Sequence, residues 1–175
     1  MEENRARCQV VIGVLSVAGV VGLVICYAVF FTRTQPEMDM AELQLNLTGP
    51  RQEPRLRWQA GPSLGRSFLH GPALVDGQLR VLRDGIYRLH IQVTLARCSP
   101  TQDVRDHSAT LTVGICSASN SITLLRRDFG QDCTVDLQRL TQLASGDILC
   151  SNLTLQAQPS PNDYETFFGI QQVRS

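Results

Sequence analysis

Four cysteines, Cys98, Cys116, Cys133 and Cys150, and two N-x-[ST] acceptors, Asn46-Leu47-Thr48 and Asn152-Leu153-Thr154, carry most of the chemistry open to this chain. The cysteines are even in number, widely spread and without a CxxC pair, which is not the spacing of a zinc knuckle. Disulfide formation needs an oxidising compartment, and asparagine glycosylation needs the secretory route. Together they place the C-terminal part of the chain outside the cell. Four cysteines allow three pairings, and spacing does not choose among them. Catalysis has little to work with. His70, His90 and His107 are far apart, and neither H-E-x-x-H nor G-x-S-x-G occurs. The nearest acidic pair, Asp103 and Asp106 in QDVRD, reads as a solvated loop. We expect no enzyme, no metal and no cofactor.

Something must hold such a domain at the surface. Val10 to Phe31 is an uncharged run of 22 residues. At roughly 1.5 Å per residue it crosses a hydrocarbon core of about 30 Å. A cleaved signal peptide has a shorter apolar stretch and a small-residue cleavage site. This run instead ends in Tyr27, Phe30 and Phe31, so it reads as an uncleaved signal-anchor. Arg5 and Arg7 precede it and Arg33 follows, which leans weakly to an inside N-terminus. The expected organisation is a cytoplasmic segment at 1–9, a transmembrane helix at 10–31, a short polar stem at 32–40 and an extracellular domain at 41–175, a type II topology at the plasma membrane. Cys8, at the inner boundary, is placed for palmitoylation. Cys26 lies within the span.

The domain is large enough for one core. From residue 34 onward, 13 arginines face 14 acidic residues, so no basic stripe points to nucleic acid. All 16 basic residues are arginine. Gly and Pro punctuate the domain at short intervals and no helical period persists, so it reads as all-β, a sandwich or jelly roll. The expected strands are 42–47, 56–59, 78–81, 86–96, 109–115, 122–127, 147–154 and 166–173. An immunoglobulin frame is disfavoured because Trp58 precedes every ectodomain cysteine. In 42–47, Leu43, Leu45 and Leu47 share one face. In 86–96, Tyr87, Leu89, Ile91, Val93 and Leu95 point to a core, and Ile86, Arg88, His90, Gln92 and Thr94 point away. The last strand sets a problem. Phe168 and Ile170 share a face, so Phe167 and Gly169 lie on the other. Either Phe167 is exposed or that face meets another subunit.

GIYRLHIQVTL and the C-terminal TFFGIQQV resemble paired core strands of the tumour necrosis factor ligand family. The family pattern is a G-x-Y strand, a G-D turn and a C-terminal aromatic-F-G-I/A segment. Here these are Gly85-Ile86-Tyr87, Gly146-Asp147 and Phe167-Phe168-Gly169-Ile170. AELQLNLTGP, LRWQAGP and LGRSFLHGP look like a co-stimulatory member of that family acting on activated lymphocytes. One departure is Gln172, where that pattern is expected to have tryptophan.

The resemblance implies a jelly-roll β-sandwich of the tumour necrosis factor type that assembles as a homotrimer. Phe167, Gly169, Arg88, His90 and Gln92 would face neighbouring protomers. It also implies disulfides Cys98–Cys133 and Cys116–Cys150. Loops of that length would each contribute about 3–4 kcal/mol. The implied partner is a cysteine-rich receptor of the tumour necrosis factor receptor family, bound between protomers by loops 55–65, 99–108, 117–121 and 158–163. Arg105, Asp106, Asn120 and Asp163 are the candidate contacts. Glycans are expected on Asn46, near the stem, and on Asn152, near an open sheet edge. Two other readings share these features: a family ligand for a different receptor, such as one that triggers apoptosis, and a C1q-like adhesion jelly roll. The absence of a collagen-like tract argues against the second.

Overall fold

The computed structural model describes residues 19, 21–27, 38–48, 51–61, 66–98, 109–116 and 121–174. The chain divides into two compact units, Met1–Glu37 and Met38–Ser175. In the first, Gly19 and residues 21–27 are helical and exposed, and Cys26 is a free, exposed thiol. Among the described residues no helix is long and apolar enough to cross a membrane. Most of the expected span at 10–31 lies outside the described residues, and so does Cys8.

Among its described residues the second unit is a two-sheet antiparallel sandwich of eleven strands. They are β1 (Met40–Leu45), β2 (Trp58–Gln59), β3 (Phe68–His70), β4 (Ala73–Val75), β5 (Gln78–Arg80), β6 (Gly85–Thr94), β7 (Thr110–Cys116), β8 (Ser121–Asp128), β9 (Thr134–Leu143), β10 (Ile148–Leu153) and β11 (Phe167–Arg174). The first sheet runs β2-β1-β11-β6-β9, with β3 also on β1; the second runs β4-β5-β10-β7-β8. This is the all-β sandwich that the punctuation of the sequence predicts.

Alternation explains the core. Ala41, Leu43 and Leu45 of β1, Tyr87 to Val93 at alternate positions of β6, and Phe168 and Ile170 of β11 are buried from the first sheet. Leu79, Leu111, Val113, Leu149 and Leu153 are buried from the second. Trp58 joins the two layers: its Nε1 donates to Ser151 Oγ at 2.8 Å, and its ring lies 5.7 Å from that of Phe168. Burying tryptophan requires such an acceptor for its N–H.

Four expectations change. β9 has no counterpart among the expected strands, because Arg139 and Thr141 interrupt its core face and Leu140 sits on the opposite one. β3 and β4 are three residues each, too short to show a period. β1 ends at Leu45, so Leu47 leaves the core and is 50% exposed, whereas Leu95, just past β6, packs half-buried against the core as expected. The compact unit begins before residue 41, because Asp39 is fully buried.

One tight contact fixes how β7 meets β8. Their register shifts at Val113/Gly114, where β8 carries an extra residue. A Cβ on Gly114 would lie 2.3 Å from the Ile122 carbonyl oxygen, a backbone atom that cannot swing aside. Gly114→Ala should therefore destabilise the domain by about 1–3 kcal/mol, as overpacking does. Thermal denaturation against wild type checks this, and an unchanged midpoint would refute it.

Candidate functional site

The outward face of the first sheet is set by strand register, since residues paired across an antiparallel ladder share a face. Arg88 lies between Gln171 and Leu140, His90 between Gly169 and Gln138, and Gln92 between Phe167 and Asp136. β1 extends the face with Met40, Glu42 and Gln44, and β3 adds Phe68 opposite Glu42. Phe167 and Gly169 thus fall on the same face as Arg88, His90 and Gln92, and Phe168 enters the core, as alternation requires.

This face is not an ordinary solvated one. The His90 ring meets Phe167 edge-on, with centroids 5.0 Å apart, and its Nε2 lies 3.1 Å from Asp136 Oδ2. Gln92 Nε2 donates to the carbonyls of Tyr164 and Glu165 at 3.1 and 3.3 Å, which ties β6 to the segment before β11. Arg88 is exposed, and Phe167 and Gly169 are half-buried. Around them stand exposed apolar side chains: Leu140 at 57%, Phe68 at 44% and Ile86 at 40%. Apolar groups spread over one face and interleaved with polar ones mark an interaction surface rather than a catalytic pocket. Leu140, Asp136 and Phe68 were not legible in the sequence because β9 and β3 were not. Only their pairing with β6 and β1 brings them here.

Behind this face, at the start of β1, lies a buried polar network. Asp39 accepts from Arg83 Nη2 on Oδ1 and from Tyr87 Oη on Oδ2, the latter at 2.8 Å. Gln172, buried where tryptophan was expected, accepts from the Asp39 backbone N–H on Oε1 and donates from Nε2 to the Asp84 carbonyl, both at 3.3 Å. Its own N–H reaches the Asp39 carbonyl at 2.7 Å. A buried glutamine is tolerated because both ends of its amide are satisfied. Burial first, then the adjacent Asp39 carboxylate, pushes the Tyr87 phenol well above its ordinary pKa. Gly71, at φ +91°, makes room: a Cβ there would overlap the Asp39 carboxylate.

The other candidate residues are dispersed. The structure closes Cys98 onto Cys133 and Cys116 onto Cys150, with Cα separations of 5.4 and 5.9 Å. Asp163 is exposed and accepts from Gln44 Nε2 at 3.1 Å. Arg105, Asp106 and Asn120 lie outside the described residues. Asn46 follows β1, whose six residues carry it roughly 20 Å from Met40. Asn152 is not at an open edge: β7 pairs with its strand on one side, and Arg55 bridges it on the other. Its side chain shares the outer face of the second sheet with Cys150, because Leu149, Ser151 and Leu153 take the inner one.

No protein-family model matches the chain. Among curated proteins it is 60% identical to human (Homo sapiens) CD70 antigen over 166 residues, covering 89% of this chain and 86% of that one. It is 64% identical to the Mus musculus CD70 antigen over 139 residues, covering 79% and 71%. Against the Sus scrofa CD70 antigen it is 51% identical over 189 positions, covering 99% and 100%. Among solved structures it is similar to murine APRIL at pH 8.5, with a TM-score of 0.62 and 18% identity over 78% of this chain and all of that one. Murine APRIL at pH 8.0 superposes with a TM-score of 0.60 over the same shares. The APRIL likeness establishes the sandwich, and identity of this order to CD70 over most of both sequences establishes more: the chain belongs to the CD70 antigen family of tumour necrosis factor ligands.

Proposed function

We propose that the head assembles as a homotrimer through the outward face of its first sheet. On this reading a signal-anchor at 10–31 holds it outside the plasma membrane, in type II orientation. The trimer then binds a cysteine-rich receptor of the tumour necrosis factor receptor family on lymphocytes. Clustering that receptor co-stimulates T- and B-cell proliferation, survival and differentiation. The observation that carries the reading is the half-buried Phe167 against His90, with exposed Leu140 opposite Arg88 on the same face, on the outer side of strands whose inner side is the core. A closed threefold assembly buries such a face on every copy, each protomer packing it against its neighbours. Three linked sites raise the effective concentration of a second and third receptor, so the signal needs no chemistry from the ligand. The disulfides and sequons support an extracellular head. Receptor contacts fall to loops 55–65, 99–108, 117–121 and 158–163, with Arg105, Asp106, Asn120 and Asp163 as polar contacts.

Light scattering on purified residues 34–175, followed by binding to a panel of family receptors, tests this. A trimer that binds the co-stimulatory receptor is expected. A monomer would overturn the assembly. A trimer that ignores that receptor and binds another would overturn co-stimulation and keep the family-ligand reading.

A further inference from the structure

The chain has three tyrosines, and their phenols differ in what surrounds them. Tyr27 belongs to the apolar run at 10–31. Tyr87 is fully buried, with its Oη 2.8 Å from both Asp39 Oδ2 and the Arg83 carbonyl. Tyr164 is the opposite case: it stands 62% exposed in the turn that leads into β11. Asp163 and Glu165 flank it directly, and residues 155–173 contain no arginine, lysine or histidine. The turn is therefore anionic without local compensation. Between Ala157 and Gln171 there is also no cysteine and no N-x-[ST] sequon to crowd it.

Everything in this turn except the phenol is tied to the head. The Glu165 and Thr166 N–H groups both donate to the Asn162 carbonyl at 3.0 Å. Gln92 of β6 holds the Tyr164 and Glu165 carbonyls. Glu165 Oε2 accepts from Ser160 Oγ, and Asp163 Oδ2 accepts from Gln44 Nε2 of β1. The phenol makes one hydrogen bond among the described residues: Asn162 Nδ2 donates to Oη at 3.3 Å. That bond uses a lone pair of the oxygen and leaves its proton without a protein acceptor. A pinned backbone thus presents an exposed hydroxyl between two carboxylates.

We propose that Tyr164 is O-sulfated while the chain passes through the secretory route. The donor is a nucleotide phosphosulfate. A bond forms from Oη to sulfur, and the bond from sulfur to the nucleotide phosphate oxygen breaks. The phenol proton passes to a base of the transferase, the nucleotide bisphosphate leaves, and sulfur keeps its oxidation state. An enzyme that holds so anionic a donor needs a basic cleft, and Asp163 and Glu165 give the turn the complementary charge. The Asn162 amide, already donating to Oη, is placed to donate to the ester. The product adds a fixed negative charge next to Asp163, a candidate receptor contact. The site rests on the extracellular placement of the head and not on which receptor it binds.

The test uses the full-length chain with a C-terminal epitope tag, expressed in cells that contain a protein-tyrosine sulfotransferase. The chain is captured through the tag from the surface of intact cells, which reads only copies that left by the secretory route. The peptide containing residue 164 is then analysed by mass spectrometry accurate enough to separate sulfate from phosphate. A sulfate ester on Tyr164 is expected on most captured copies. It should disappear when chlorate blocks synthesis of the phosphosulfate donor, and in Tyr164→Phe. That variant should reach the surface in equal amount and melt with the wild type, because the phenol touches no core residue. Captured chains with an unmodified Tyr164, with a phosphate there, or with a chlorate-insensitive group would overturn the proposal. A chain that cannot be captured at the surface would overturn it together with the type II placement. A sulfated chain that binds no family receptor would count against the proposed function and support this site.

Discussion

Phe167→Asp is expected to turn a trimeric head into a folded monomer. The side chain stands on the outer face of β11, opposite Phe168, so its replacement leaves the core untouched. Within one protomer it makes only an edge contact with His90 among the described aromatic pairs. In an assembly it would bury a phenyl ring worth about 1.5–3 kcal/mol per copy, repeated by symmetry. The aspartate removes that term from every copy. It also places a carboxylate next to Gln92 and near Asp136, where a neighbour would have to desolvate it. Light scattering should report monomer mass, with circular dichroism and thermal midpoint close to wild type. Phe167→Ala should weaken the trimer without abolishing it at high concentration, and Asn120→Asp should leave it intact. A fully trimeric Phe167→Asp would show that this face is not the contact.

The second large effect is expected at Asp39. Asp39→Ala takes the acceptor from both Arg83 and Tyr87 and leaves a void against Gly71. The Arg83 side chain is 42% exposed, so water recovers part of its loss. Tyr87 is fully buried and keeps one alternative, the Arg83 carbonyl at 2.8 Å. The cost should therefore be about 3 kcal/mol, at the low end for breaking a buried pair. For a head of this size that is roughly a 10 °C drop in Tm. Asp39→Asn, which keeps the shape and one acceptor, should lose about half as much. Tyr87 adds a pH signature. Its folded-state pKa is raised, so its contribution is whole below the unfolded value near 10 and declines as pH rises beyond it. A Tm within 2 °C of wild type for Asp39→Ala, by a measure good to ~1 °C, would show that the network contributes little.

Much of this architecture is legible in the order of residues, for a local reason. β6 and β11 alternate because each has one face in the core, and a period of two fixes which side chains are inside. Tyr87, Leu89, Ile91, Val93, Phe168 and Ile170 could be assigned by counting, and with them the opposite placement of Phe167, His90 and Gly169. β9 escaped because its core face carries Arg139 and Thr141. The arginine is tolerated there because Nη1 reaches the Leu124 carbonyl of β8, an acceptor on the other sheet. β3 and β4 escaped because three residues contain no period.

By itself the sequence determined the all-β class, the faces of the long strands, the sequons, the apolar run at 10–31 and the family resemblance. All of these are read from neighbours in the chain. Only the tertiary structure decided what depends on residues far apart. It placed Leu140 and Phe68 on the face that carries Phe167. It joined Asp39 to Tyr87 and Gln172 across most of the head, and turned an expected tryptophan site into a satisfied buried amide. It moved Asn152 from an edge to the outer face of a paired strand. Ladder register and hydrogen-bond closure are properties of pairs, and no single strand contains them.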